Sequence, residues 1–342
     1  MSKSVWKNFI FEAAEISGLL NFVQNNFRGS GQYLYVLAYH RVDEVNHRPW
    51  LDPQLISATP RQFEEQMRLV ATRYHPISAE DLVEAANGGP PLPKDAVLVT
   101  VDDGYLDFKE IFFPLCRRFG ISPLLFMPTA FVGQGTYWWD KVYQIIHLSG
   151  SNKIDSPVGQ ILFSSEKEKN KAQDQLLKIL KRMPDKQMTE WVDSTHAALV
   201  QLSEEQQHNT LNWDELADLT RAGLTVASHT HTHSIMTRIS IEEARQQACK
   251  SQELIRQKLG VALPIFAFPD GKLDTFNSGL FKMLHSEGFD ILFLLLGGRA
   301  LIQPGIKKMV LPRMSIWRSQ SLSQFHMRLT PLAGRLRPDL ME

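Results

Sequence analysis

Val97-Leu-Val-Thr-Val-Asp-Asp-Gly-Tyr105 decides the fold class, because an uninterrupted apolar run leads directly into two carboxylates and a glycine. Consecutive apolar residues indicate a strand buried on both faces, as in a parallel sheet covered by helices. Catalytic groups gather at the carboxyl ends of such strands. Two adjacent carboxylates there repel each other unless a cation or a proton separates them. An Asp-Gly turn without a chemical role is the competing interpretation.

Six further segments show similar apolar runs and predict a sheet of about seven strands. The predicted strands are 33–39, 96–101, 124–127, 224–227, 265–268, 291–296 and 309–311. Helical patterns with recognisable ends separate them, and Asn212 and Glu215, for example, have the spacing of a capping box. Strands that alternate with helices favour an α/β fold, either a parallel (β/α) barrel or a doubly wound sheet.

Three segments fall outside this alternation and define the predicted domain organisation. Residues 1–32 are interpreted as an N-terminal helical appendage and residues 319–342 as a C-terminal one. Between them, residues 33–318 form the predicted barrel. Residues from about 136 to 207 show a helical, polar pattern with no strand signal, and a structureless loop of that length is improbable. We therefore expect a helical insertion there.

Charge balance, cysteine content and the N-terminal sequence narrow the binding partners and the cellular compartment of the protein. The 342 residues contain 37 basic and 37 acidic residues. The chain therefore lacks the surplus of positive charge that is typical of nucleic-acid-binding proteins. Cys116 and Cys249 are too few for a disulfide framework or a cysteine zinc site, which favours a reducing compartment. Glu12 and Glu15 interrupt the first apolar stretch, which therefore resembles a signal peptide poorly. The expectation is a cytoplasmic protein.

The C-terminal appendage carries arginines among leucines, and two interpretations stay open for them. Peripheral contact with an anionic membrane surface is one, and an ordinary solvated helix face is the other. The residues concerned are Arg328, Arg335 and Arg337.

Ser228-His-Thr-His-Thr-His233 is the second chemical signal, and it also follows a predicted strand. In an extended chain His229 and His233 would lie ~13 Å apart. A zinc ion needs both nitrogens at ~2.1 Å, so the chain must turn after Ser228. Residues four apart share one face of such a turned path. This favours His229 and His233 as ligands and leaves His231 outside, although a histidine-rich loop arising by chance is the alternative.

Together the two signals predict a reaction type. One carboxylate and two imidazoles form an open metal site with room for water and substrate. The second carboxylate is then free to act as a base, which is the arrangement of metal-assisted hydrolysis. Zinc is the default metal for such ligands, and cobalt or nickel can take its place.

Thr100-Val-Asp-Asp-Gly104 together with His229-Thr-His-Thr-His233 resembles the first two motifs of the polysaccharide deacetylases of the NodB-homology type. Leu37-Ala-Tyr-His-Arg-Val42 and Leu311-Pro-Arg-Met-Ser315 resemble the bacterial exopolysaccharide branch of that family. The resemblance extends from about residue 33 to residue 317. It implies a distorted parallel (β/α) barrel that removes N-acetyl, or sometimes O-acetyl, groups from sugars.

Motif position carries the family's roles onto this chain. The resemblance implies Asp102 as the catalytic base, with Asp103, His229 and His233 as the metal ligands. The family's third motif departs here, because Ala267 stands where an arginine would orient the base, and Asp270 stands where a tyrosine would supply an oxyanion-binding N–H.

Three assignments follow from these departures. Backbone donation needs no particular side chain, so the Asp270 N–H can still bind the oxyanion. Arg313, after the last predicted strand, is our candidate for pairing with Asp102. The family's late histidine, its general acid, has no clear counterpart. His40 ends the first predicted strand and is our candidate for that role, although a purely structural histidine is an equal alternative.

The predicted function is removal of acetyl groups, most simply N-acetyl groups of an N-acetylhexosamine, from a polysaccharide or from its lipid- or nucleotide-linked precursor. Candidate substrate-binding aromatics are Tyr105, Trp138 and Trp139, for which anchoring of the insertion is the competing role. Two other functions stay open: hydrolysis of a non-sugar amide on the same fold, and a non-catalytic member that binds a glycan or a protein. The sugar, the acetyl position and the oligomeric state are not specified by the motifs.

Overall fold

The computed structural model of the protein describes residues 32–133 and 135–331. The strands are β1 Gln32–Tyr39, β2 Arg41–Val42, β3 Ile56–Ala58, β4 His75–Pro76, β5 Ala96–Asp102, β6 Leu124–Met127, β7 Lys153–Ser156, β8 Gly159–Leu162, β9 Thr225–Ser228, β10 Ile265–Ala267, β11 Ile291–Leu294, β12 Ala300–Ile302, β13 Met309–Pro312 and β14 Met314–Ser315. The helices are α1 Pro60–Arg73, α2 Ala79–Ala86, α3 Phe113–Arg118, α4 Trp138–His147, α5 Glu166–Leu180, α6 Asp185–Leu199, α7 Glu204–Gln207, α8 Trp213–Arg221, α9 Ile241–Leu259, α10 Ser278–Ser286 and α11 Leu322–Arg328.

The main sheet closes on itself almost completely. Its hydrogen-bonded order is β12-β1-β5-β6-β9-β10-β11-β13. β13 pairs in parallel with β11, and after Arg313 the chain continues as β14, which pairs in parallel with β1. One segment therefore joins both ends of the sheet, which makes the fold a barrel and excludes the doubly wound alternative. Each of the predicted strands is present within two residues of its predicted bounds, whereas β12, which is antiparallel to β1, was not predicted.

The apolar runs arise because both faces of the strands are covered. Val36 and Leu98 belong to an interior cluster with Phe126, whereas Tyr35 and Val97 pack beneath the outer helices. This burial on alternate sides explains why the strand sequences show no polar alternation. The capping box of Asn212 and Glu215 forms as predicted at the start of α8.

The insertion has its own small core and one element that was wrongly predicted. Val142, Leu176 and Val192 are buried in an apolar cluster within it. The sequence predicts no strand in the insertion, but β7 and β8 form an antiparallel hairpin there. Ile154 and Ile161 are its buried positions, and the residues around them are mostly polar, with Leu162 exposed. The hairpin therefore carries too little hydrophobic signal to be recognised from the sequence.

The appendages are partly outside the described residues. Residue 32 begins β1, and the rest of the predicted 1–32 appendage is not described, nor are Arg335 and Arg337. Arg328 lies neither at a membrane surface nor on a solvated helix face. Its side chain is buried, donates a hydrogen bond to the Ser315 carbonyl at 2.8 Å and lies over the Trp317 ring. Within residues 32–133 and 135–331, none of the helices has the length and apolarity to cross a membrane.

Candidate active site

The chain turns after β9, as the histidine spacing predicts. Thr230 and His233 both adopt left-handed backbone conformations, with φ of 65° and 58°. Residues other than glycine rarely take such values, and strain of this kind clusters at functional sites. The turn brings the His229 and His233 rings to a centroid distance of 4.8 Å. His231 points away and hydrogen-bonds to Thr129 at 2.9 Å, so it lies outside the pair as expected.

A three-residue cluster suited to a metal ion lies at this rim of the barrel. The cluster consists of Asp103, His229 and His233. Each offers one ligand atom, and these three atoms lie within 4.8 Å of one another. Nδ1 of His229 is 2.8 Å from the Ala267 carbonyl, an interaction that fixes the ring and leaves Nε2 for a metal. Within the described part of the chain, Oδ1 of Asp103 is buried without a hydrogen-bond partner. The cluster therefore fits a divalent cation.

The electrostatics of Asp103 agree with that fit. Burial, together with the neighbouring charge of Asp102, raises the pKa of Asp103 well above its ordinary value of 3.8. A carboxyl group in this position is protonated unless a cation compensates its charge. The surroundings of Asp103 therefore disfavour its ionised form, and a bound cation would offset this.

Asp102 has the opposite environment although it is the adjacent residue. Its two oxygens accept a forked pair of hydrogen bonds from Arg313, at 2.6 and 3.0 Å. Burial alone would raise the pKa of Asp102, but the charges of Arg313, His229 and His40 outweigh it and hold the pKa at about 2. The structure therefore brings Arg313 to the position that the sequence hypothesis required.

Backbone geometry separates the two carboxylates. Asp103 has φ of 73° and Gly104 has φ of 65°, so the chain reverses directly after β5. The positive φ of Gly104 strains any residue with a side chain, and a Cβ there would lie 2.4 Å from the Met127 sulfur, so the Met127 side chain would have to move. The reversal directs Asp102 toward Arg313 and Asp103 toward the histidines.

The two remaining rim candidates lie beside Asp102 and the metal cluster. Nε2 of His40 is 3.9 Å from Oδ2 of Asp102, and burial lowers the pKa of His40 below 6.5. Asp270 has φ of 60°, and its carboxylate accepts a hydrogen bond from Lys181 of the insertion at 2.7 Å. His40, Asp102 and Asp270 all line one cavity of about 760 Å³.

Aromatic residues at the start of the insertion support the metal cluster. The Tyr137 hydroxyl donates to the Asp103 carbonyl, and the Trp139 ring stacks on Tyr137 and lies 4.6 Å from the His233 ring. Trp138 and Trp139 line the cavity. Tyr105 does not, because it is buried and its hydroxyl donates to Asp140 at 2.6 Å. The predicted substrate contact of Tyr105 is therefore replaced by a supporting hydrogen bond.

Asp140 gives a pH-dependent prediction. Burial raises its pKa from 3.8 to about 7, so the folded chain keeps this proton at pH values where the unfolded chain has released it. This group therefore makes folding less favourable as pH rises from about 4 to about 7, and beyond that its contribution is constant. Asp140→Asn lacks this titration. We therefore expect its free energy of unfolding, relative to that of the wild type, to rise by up to roughly 4 kcal/mol between pH 4 and pH 8. Urea unfolding at pH 4 and pH 8 measures the difference, and a variant effect independent of pH would contradict the expectation.

Three residues of the site were not predicted from the sequence. Tyr137, Asp140 and Lys181 act on the rim from the insertion, 30 or more positions away from their partners in sequence. A carboxylate next to clustered aromatics was the only signal for Asp140. A lysine in a polar helical stretch gives no signal for Lys181.

The barrel and its rim define a class: a parallel (β/α) barrel with an Asp-His-His cluster of the kind that can hold a metal ion and a separate buried carboxylate at the carboxyl ends of its strands. Comparison with known families agrees. The family model described as polysaccharide deacetylase matches residues 89–291, more than half of the chain. The protein belongs to the polysaccharide deacetylase family.

The chain is similar in sequence or in structure to several proteins, of which three are described here with the extent of each match. Over 84 residues the chain is 33% identical to the poly-beta-1,6-N-acetyl-D-glucosamine N-deacetylase of Escherichia coli (strain K12), an alignment that spans 24% of the chain but 12% of that relative. Streptococcus pyogenes deacetylase PplD has a TM-score of 0.58 at 14% identity, over 88% of this chain and 99% of its own. IcaB from Ammonifex degensii has a TM-score of 0.54 at 16% identity, over 87% and 96%. These structures share the fold.

Proposed function

We propose that the protein is a divalent-metal-dependent hydrolase that removes N-acetyl groups from an N-acetylhexosamine glycan. The observation that carries this proposal is that two adjacent carboxylates in one cavity have different surroundings. Asp103 lies with two histidines and lacks a counter-charge, whereas Asp102 is kept ionised by Arg313. A protein that only binds a glycan does not need a free base beside a metal cluster.

The roles of the chain's residues follow from this geometry. Asp103, His229 and His233 would hold the metal, and the metal, preferably zinc, would polarise the acetyl carbonyl and lower the pKa of water. Asp102 is the base that takes the proton of the attacking water. Its low pKa ensures that it is ionised at neutral pH. The Asp270 N–H, in a left-handed turn at the cavity, is our proposed donor to the oxyanion.

Arg313 supports an enzyme over a non-catalytic binding protein. Ala267 leaves the family's third motif without an arginine, which was the reason to consider loss of activity. The Arg313 guanidinium is fully buried and forms the forked pair with Asp102 from the closing strand of the barrel. The orientation of the base is therefore provided from a different strand.

His40 is the proposed general acid for the leaving amine. It lines the cavity, and its side chain is 28% exposed. We expect His40→Gln to lower kcat about 10²-fold, because proton transfer by a placed side chain contributes at least that factor. The zinc content of the variant should equal that of the wild type. Unchanged kcat would assign His40 a structural role.

The name of the Escherichia coli relative supports a polymer of N-acetyl-D-glucosamine as the glycan. The unpaired cysteines Cys116 and Cys249 support the cytoplasm as the proposed compartment. Both proposals concern where and on what the reaction takes place, and they are independent of the site chemistry.

Acetate release by zinc-loaded protein tests the proposal. The substrates are N-acetylglucosamine oligomers, their O-acetylated analogues and a small non-sugar amide such as acetanilide. Release from the N-acetylated oligomers that stops when a chelator removes the metal is the expected result. Release from the non-sugar amide alone would show that the leaving amine is not that of a sugar. Release that survives complete removal of metal would contradict the metal-dependent mechanism.

A further inference from the structure

One wall of the active-site cavity is aliphatic, which is unusual for a site that binds only a sugar. Leu177 and Met183 line it from the insertion, and Ile235 and Ile239 line it from the segment after His233. All four side chains are partly exposed, and Leu177, Met183 and Ile239 also pack on one side against apolar clusters of the fold. Sugars offer hydroxyl groups, which bond poorly to such a surface. Exposed aliphatic carbon favours an apolar occupant, because removing it from water is favourable by ~25 cal/mol per Å².

Each lysine that lines the described cavity lies within 4 Å of a carboxylate. Lys181 and Lys272 both lie within 4 Å of Asp270, and Lys141 contacts Asp193 at 2.7 Å. Lys186 has Glu190 at 3.9 Å. Among the described residues, every lysine that lines the cavity therefore has a carboxylate partner. Lys181 and Lys272 share Asp270, but the carboxylates of Asp185 and Glu243 also line the cavity, so the diphosphate of a nucleotide-linked sugar is poorly matched to it.

The cavity is also large for a single sugar ring. Its volume of about 760 Å³ is in the upper part of the range of roughly 300–1,000 Å³ found for small-molecule sites. The catalytic groups His40, Asp102 and His233 line the same cavity as the aliphatic wall. A substrate with its acetyl group at the metal cluster therefore has room for a second part in continuous space.

We propose that the aliphatic wall binds a hydrocarbon chain attached to the acetylated sugar. The substrate class is then an N-acetylated sugar that carries an alkyl-type chain at its reducing end, in preference to a nucleotide sugar or a bare oligosaccharide. This inference rests on the proposed function and names the substrate of the same site. The insertion supplies the part of the wall that the barrel itself lacks.

Matched glycosides test the inference. Acetate release is measured for methyl and octyl N-acetylglucosaminide, both below the micelle concentration of the octyl compound, and for a uridine diphosphate N-acetylglucosamine. Each methylene group removed from water strengthens binding about fourfold. If about three of them are buried, KM for the octyl glycoside is lower than for the methyl glycoside by roughly 50-fold.

Two substitutions of the same type separate the wall from general effects of a polar side chain. Leu177→Gln alters the wall, and Leu162→Gln alters an exposed leucine of the β7–β8 hairpin that does not line the cavity. The ratio of the methyl KM to the octyl KM should fall about tenfold in Leu177→Gln and stay unchanged in Leu162→Gln. Met183→Gln is the second wall variant, should Leu177→Gln fold poorly.

The outcomes distinguish the inference from the function on which it rests. Equal KM values for the two glycosides in the wild type, or preference for the nucleotide sugar, overturn the hydrocarbon-binding wall while the deacetylase remains. A KM ratio that falls equally in Leu177→Gln and Leu162→Gln also overturns it. Failure to release acetate from each of these compounds and from N-acetylglucosamine oligomers overturns the proposed function itself.

Discussion

Replacing Asp102 with asparagine is expected to reduce acetate release by about 10³-fold, the middle of the range for loss of a general base. The amide cannot accept the proton of the attacking water. Its oxygen can still accept a hydrogen bond from Arg313, so the barrel rim keeps its geometry. Since Asp102 is separate from the Asp103-His229-His233 cluster, zinc binding should be unaffected. Steady-state acetate release and zinc content, measured on the same preparation, check the expectation.

Asp155→Asn is the matched control, because it makes the same chemical change on the exposed β7–β8 hairpin, outside the residues that line the active-site cavity. It should retain wild-type turnover. Turnover within threefold of the wild type in Asp102→Asn would show that another group is the base. Loss of zinc from Asp102→Asn would place this carboxylate among the metal ligands instead.

Arg313→Met is expected to impair both stability and turnover. Arg313 is fully buried, so its removal leaves the Asp102 charge uncompensated inside the barrel. Breaking a buried pair in this way costs about 3–5 kcal/mol of unfolding free energy. With the arginine gone, burial would dominate and raise the pKa of Asp102. The acid limb of the kcat/KM profile should therefore move to higher pH.

The sign of the pH effect on wild-type stability also follows from this pair. The pKa of Asp102 is about 2 in the folded chain and close to 3.8 in the unfolded chain. The stabilisation is therefore fully present above about pH 4 and is lost as pH falls toward 2. Arg313→Met should lack this contribution at neutral pH.

Arg313→Lys keeps the charge and removes the planar fork, which makes it the control for geometry. An intermediate loss of turnover, with most of the stability retained, is expected. If Arg313→Met left the pH profile and kcat unchanged, the pairing seen in the structure would have no catalytic consequence.

The barrel could be predicted because its strands are buried on both faces, and such burial leaves a strong apolar signal. The metal cluster could be predicted because its ligands are close in sequence to strand ends: Asp103 follows β5, and the four-residue spacing of His229 and His233 requires a turn. Arg313 lies beside Asp102, as the sequence hypothesis expected, and the reason is topological. Arg313 lies between β13 and β14, on the segment that closes the barrel beside β1 and β5.

The insertion shows where sequence reasoning fails. Tyr137, Asp140 and Lys181 reach the rim through contacts between distant segments, and a helical pattern does not indicate which side chain will face a cavity. Tyr105 was assigned to substrate because aromatic residues near an active site often contact sugars, but its hydroxyl is fixed by Asp140. Arg328 was interpreted from its neighbours in sequence, whereas tertiary contacts bury it against Trp317.

The arrangement of a metal cluster beside a separate base is tested most directly by titrating the metal-free protein with Co²⁺ and recording its visible absorption. One Co²⁺ per chain is expected, displaced by Zn²⁺, with the spectrum retained in Asp102→Asn and lost in His229→Ala and Asp103→Ala. Binding that survives both His229→Ala and Asp103→Ala, or that is lost in Asp102→Asn, would contradict this division of roles.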